Sequence, residues 1–172
     1  ITPTKRITVD GIVRTHGITY DGTDDVMVLT DIGDATDANT DGGFHVISEF
    51  SSKFDALSDG ELLPIGMQVR VAGSSTLLGN PIDVAYDSET DAVYVSEIGN
   101  GKVLGFTSIG SGGDVSPSFN KDLAMASSIY FSSDETDGNT GDSSDARATR
   151  LYATSTANGD VSIYDGSGML TK

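Results

Sequence analysis

Short runs of Val, Ile, Leu, Tyr and Phe alternate along this chain with clusters of Gly, Asp, Asn and Ser. That spacing predicts short β-strands joined by tight turns. The runs also repeat. Gly17-Ile18-Thr19-Tyr20-Asp21 is followed by Asp25-Val26-Met27-Val28-Leu29-Thr30-Asp31-Ile32-Gly33. Sixty-six residues later stand Asp83-Val84-Ala85-Tyr86-Asp87 and then Asp91-Ala92-Val93-Tyr94-Val95-Ser96-Glu97-Ile98-Gly99, aligned without a gap. A third copy is split, with Ser128-Ile129-Tyr130-Phe131-Ser132 matching the first part and Arg150-Leu151-Tyr152-Ala153-Thr154-Ser155 the second. Agreement in order, spacing and turn chemistry points to one supersecondary unit used three times.

Each copy predicts three strands: 18–20, 26–30 and 44–47, then 82–86, 92–96 and 102–106, then 128–131, 150–154 and 160–164. Asn100-Gly101 and Asn158-Gly159 fall between the second and third strands and predict type I′ hairpins, with positive φ at both central residues. Asp41-Gly42 takes that place in the first copy. Asp21-Gly22-Thr23-Asp24 and Asp87-Ser88-Glu89-Thr90 turn the first hairpins. No long helix is expected; 57–63 and 121–126 can each form one short turn, and Gly110-Ser111-Gly112-Gly113 reads as a flexible link.

The second strands do not alternate: Val26 to Leu29 and Ala92 to Val95 are continuous apolar runs. A strand apolar on both faces must be covered on both faces. Antiparallel hairpins covered on both sides suggest sheets stacked radially, as β-propeller blades are. A two-sheet sandwich would show stricter alternation. A fourth, outer strand should link successive copies, with candidates at 68–72, 116–123 and, ahead of the first copy, 7–10. The expected fold is therefore all-β, with three antiparallel propeller blades at about 16–60, 68–110 and 116–166. Residues 7–9 are then an outer strand that closes a partner blade.

One segment carries a family resemblance: Gly79-Asn80-Pro81-Ile82-Asp83-Val84-Ala85-Tyr86-Asp87, then Ala92-Val93-Tyr94-Val95-Ser96-Glu97, then Gly99-Asn100-Gly101-Lys102-Val103-Leu104-Gly105-Phe106. It resembles the blades of NHL-repeat and lactonase-type six-bladed β-propellers: a Pro-hydrophobic start, an aspartate turn, a tyrosine-valine strand and a Gly-Asn hairpin. The resemblance covers one blade well and two loosely. It implies that three blades are half of a six-bladed ring, and that an N-terminal outer strand completes the last blade. It also implies a channel lined by the innermost strands, where lactonase-type members hold a metal. Gly17, Asp83 and Ser128 take the equivalent positions here, and of these only Asp83 is a ligand type.

Composition narrows the function. Ten basic residues stand against 26 acidic ones, a formal charge of −16. A nucleic-acid binder needs a basic footprint to release counterions, and this chain has none. An anionic membrane surface would repel it, and no apolar run approaches the ~18 residues that span a bilayer. With no Cys, thiolate metal sites, disulfides and cysteine nucleophiles are excluded. An Asp-, Ser-, Thr- and Gly-rich surface with an Ile1 start reads as that of a processed, secreted or cell-surface protein.

Candidate chemistry centres on oxygen ligands. Asp37-x-Asn39-x-Asp41-Gly42 matches the opening of a calcium loop, with oxygens at alternate positions converging on one cation and Gly permitting the sharp turn. The glutamate expected at the twelfth position is replaced by Ser48; Asp31 and Asp34 are further ligand types nearby. A second acidic stretch, 134–145, fits no standard loop. His16 adjoins the inner-strand position, and a Ser–His–Asp triad drawn from His16 or His45 has no nucleophile-elbow motif behind it. No phosphate loop or dinucleotide fingerprint occurs. The reading that follows is a non-enzymatic extracellular module for binding or self-assembly, stabilised by calcium. Its partners are a second copy, by outer-strand exchange into a homodimer or polymer, and a protein or glycan ligand. The alternatives are a fibre or surface-layer subunit and a metal-dependent, lactonase-like hydrolase.

Overall fold

The computed structural model describes residues 2–34, 40–107, 109–134 and 148–165. The chain is all-β apart from short helical turns. The first sheet contains β2 (Thr15–Asp21), β3 (Val26–Asp31), β4 (Gly43–Ile47) and β6 (Val69–Ala72), in that order and antiparallel. The second is β7 (Pro81–Asp87), β8 (Ala92–Glu97), β9 (Lys102–Phe106) and β10 (Phe119–Asp122). The third is β11 (Ala126–Asp134), β12 (Ala148–Ser155) and β13 (Val161–Asp165). A separate two-residue strand, β1 (Thr8–Val9), runs parallel to β5 (Leu62–Leu63). One helix, α1 (Phe50–Ala56), follows the first sheet's third strand.

The sheets stack. One face of the first, with Val26, Val28, Phe44 and Val46, packs on Val84, Val93, Val95, Leu104 and Phe106 of the second. The second sheet's other face, with Ala85, Tyr94, Val103 and Phe119, packs on Ile129, Leu151 and Ala153 of the third. This explains the continuous apolar run of β8, which is buried at every position because each face has a sheet against it. Aromatic pairs fill both layers: Phe44 lies 5.1 Å from Phe106, and Tyr94 stacks 5.8 Å from Phe131.

The repeat is visible in the hydrogen bonds. All three inner strands break register at the same place, between Thr15 and Ile18, Pro81 and Asp83, and Ala126 and Ile129. The first hairpins place their last loop residue in the left-handed region: Asp25 at φ 55° and Asp91 at φ 53°. Tyr20 Oη donates to Asp25 and Tyr86 Oη to Asp91, and this local bond offsets the steric cost of a left-handed aspartate. The second hairpins use Gly101 and Gly159 at that same place, with φ 63° and 76°.

Several expectations are corrected. Asn100 and Asn158 do not have positive φ, so these turns are not type I′; the loops are longer and need only their last residue left-handed. The outer strand follows its copy instead of preceding it: Val69–Ala72 pairs with Gly43–Ile47, and Phe119–Asp122 with Lys102–Phe106. The repeat units are therefore 15–72, 81–122 and 126–165 in place of 16–60, 68–110 and 116–166. Thr8–Val9 is already paired within its own chain, with Thr8 N donating to Glu61 O and Asp10 N to Leu63 O. The helix forms at Phe50–Ala56, ahead of the expected 57–63, because the Asp25 side chain and carbonyl accept the Ser51 and Phe50 N–H groups at its start. The 110–113 segment is docked, with Gly113 N donating to Arg70 O.

Candidate functional site

The inner strands β2, β7 and β11 bring their register breaks to one place. His16, Gly17, Ile18, Ile82, Asp83, Ser127 and Ser128 line an open cleft of about 260 Å³ there. β-Bulges re-aim side chains, and here they turn three equivalent residues toward the same space. Gly17 is required by the approach of the strands: a Cβ on it would lie 2.6 Å from Asp83 Cα. His16 Nδ1 lies 2.7 Å from the Ile82 carbonyl and donates to it, which fixes the ring's orientation on the neighbouring strand.

The polar groups at the bulges are held by the scaffold. Gly17 N donates to Thr30 Oγ1 at 2.7 Å, and Ser128 N donates to Thr154 Oγ1 at 3.0 Å, the same bond in the first and third sheets. In the second sheet Asp83 replaces it. Its Oδ1 accepts from Val84 N at 3.0 Å and its Oδ2 from Ile129 N at 2.9 Å. The second of those bonds crosses from sheet to sheet. Asp83, expected as the one channel ligand, thus has a backbone N–H on each oxygen and staples β7 to β11. His16, Ser127 and Ser128 line the cleft beside Asp83 and strand backbone, a set suited to hydrogen-bonding a polar ligand. Among the described residues no group of three or more His, Asp or Glu stands together in a metal-holding arrangement.

A second repeated device anchors the far end of each β-hairpin. Asp31 Oδ1 accepts from Val13, Arg14 and Gly33 N–H. Glu97, at the equivalent position, accepts from Asn80, Gly99 and Asn100 N–H. Ser155 takes the place in the third copy, accepting from Ala157 N and donating to Ala124 O. Asp31 is therefore a buried loop anchor through its Oδ1. Sequence reading missed this role, although the 66-residue alignment of Asp31 with Glu97 carried the signal.

Of the predicted calcium ligands, Asp37 and Asn39 lie outside the described residues, as do 135–145 of the second acidic stretch. Asp41 is described and packs against Gly33, where a Cβ would lie 2.5 Å from the Asp41 carbonyl oxygen. His45 is fully buried, with Nδ1 2.6 Å from Gln68 Oε1. Burial holds its pKa below the ordinary 6.5, so the ring is neutral near pH 7. It faces Gln68 and Arg70 in the sheet, away from the cleft, and forms no triad with the cleft serines. Neither a known family model nor a curated protein matches this sequence.

Proposed function

We propose that the chain is a non-enzymatic recognition and self-assembly module, built from three propeller-type blades of the NHL-like kind and working outside the cell. The observation that carries this reading is the use made of Asp83. The one carboxylate at the inner cleft is bonded to two backbone N–H groups and ties two sheets together. A rigid cleft walled by His16, Ser127 and Ser128 then serves recognition of a polar protein or glycan group. The acidic surface fits a secreted or cell-surface setting, where calcium at Asp37, Asn39 and Asp41 would supply counter-charge. Among the described residues no helix is long and apolar enough to cross a membrane.

The lactonase-like alternative retains one supporting observation, the convergence of His16, Asp83 and Ser128 on a single cleft. The two readings separate in a direct assay. The protein is incubated with lactone and ester substrates in the presence of calcium, manganese or zinc. The module reading predicts no turnover above buffer. Metal-dependent turnover that is abolished by Asp83→Asn would overturn it in favour of the hydrolase.

A further inference from the structure

Asn-Gly occurs twice in the chain, at Asn100-Gly101 and Asn158-Gly159, and both pairs sit between the second and third strands of a repeat. An asparagine followed by glycine can react with its own backbone. Glycine carries no Cβ to shield its nitrogen or to restrict the chain, so that nitrogen can reach the asparagine Cγ. By sequence the two pairs are equivalent. Their surroundings are not.

Asn100 is clasped by three parts of the fold. Its backbone N–H donates to the buried Glu97 carboxylate, and its Nδ2 donates to the Leu77 carbonyl at 2.9 Å. The Gly101 carbonyl accepts from Leu123 N at 2.9 Å, and a Cβ on Gly101 would lie 3.6 Å from Ala124 Cα. Turning the Asn100 side chain onto the Gly101 nitrogen means breaking contacts to residues far along the chain.

Asn158 has only local partners on its side chain. Residues 156–160 are all exposed, and a Cβ on Gly159 would meet nothing within 4 Å. Its Nδ2 donates to Asp160 Oδ2 at 2.6 Å, and Asp160 N donates to its Oδ1 at 3.2 Å. The second bond draws electron density from Cγ and steadies the charge that builds on Oδ1 during attack. Gly159 N donates to Ser155 O at 3.1 Å, so that bond must open first. In an exposed turn, opening of that kind is local and costs far less than unfolding the sheet.

We propose that Asn158 is a self-modification site, at which the folded chain deamidates while Asn100 is protected. The Gly159 nitrogen forms a bond to Asn158 Cγ and gives its proton to solvent base. The Cγ–Nδ2 bond breaks, and the leaving nitrogen takes a proton from water and departs as ammonia. Water then opens the resulting succinimide at either carbonyl, to aspartate or isoaspartate. Neither step is a redox step, and water is the one co-reactant. The product replaces the Nδ2 donor by a carboxylate facing Asp160, and this like-charge contact loosens the hairpin between β12 and β13. The reaction is independent of what the inner cleft binds.

Peptide mapping by mass spectrometry tests this on the full chain, held for days at mildly alkaline pH. The expected result is the mass gain of amide-to-acid conversion at Asn158, at least tenfold faster than at Asn100, with isoaspartate among the products. In concentrated urea the two rates should converge, because the protection of Asn100 is structural. Asn158→Asp, which carries the charge of one product, should speed amide exchange in β13 and leave β8 as it is. No conversion at Asn158, equal rates in the folded chain, or a gap of the same size in urea would overturn the proposal. Unchanged exchange in β13 of Asn158→Asp would overturn the loosening.

Discussion

At the scale of single residues, the buried polar groups hold the loops to the sheets. Glu97 is fully buried, and three backbone N–H groups depend on it. Leaving buried donors unpaired costs roughly 1–3 kcal/mol each, so Glu97→Ala should destabilise the fold by about 3 kcal/mol or more. A urea midpoint unchanged in that variant would refute the anchoring role. His45 gives a pH dependence of defined sign. Burial, the largest cause, lowers its folded-state pKa below the ordinary 6.5; Arg70 acts in the same direction, and Gln68 and Asp31 oppose. Between the lowered value and 6.5 the unfolded chain binds more protons than the native one, so stability rises with pH there. The contribution is complete above 6.5 and is lost as pH falls through it. Urea midpoints measured between about pH 7.5 and pH 5 should decline in the native chain, and His45→Gln should flatten the slope by up to one proton. Asp83 marks where residue-level reading ran out. Its place at an inner strand was legible from the 66-residue register, but its bond to Ile129 N joins residues of different sheets. No local pattern encodes that contact.

At the scale of elements, the strand cores follow from the apolar runs, since burial on both faces leaves little freedom in where a run such as Ala92 to Val95 sits. The outer strands were misassigned for the converse reason. Val69–Ala72 and Phe119–Asp122 lie between two copies in sequence, and edge-strand composition does not say which neighbour a strand will join. Chain geometry decides it, because an antiparallel neighbour to β4 is reached by the connection through Leu63 and Met67. The helix position was likewise set by a tertiary partner, the Asp25 carboxylate bonded to Ser51. Packing between elements yields a further expectation. Leu104 is fully buried in the layer between the first and second sheets, and Leu104→Ala should cost about 2–5 kcal/mol. Thermal unfolding of that variant within a degree of the parent would contradict the sheet-on-sheet layer.

At the scale of the whole molecule, the described residues form three stacked sheets, with the inner cleft where β2, β7 and β11 meet. The calcium expectation belongs here, because a ligand that binds only the native state stabilises the whole fold by mass action. Melting temperature should rise with calcium over chelator, and Asp41→Ala should remove most of that rise; equal melting temperatures in calcium and chelator would reject the site. The account as a whole turns on the second sheet being the middle of the stack, packed on both faces, while β13 carries exposed Val161 and Ile163. Amide hydrogen exchange followed strand by strand reads this directly. The account predicts the slowest exchange in Ala92–Glu97 of β8 and exchange faster by orders of magnitude in Val161–Asp165 of β13. Fast exchange throughout Ala92–Glu97, or equal protection of the two strands, would contradict it.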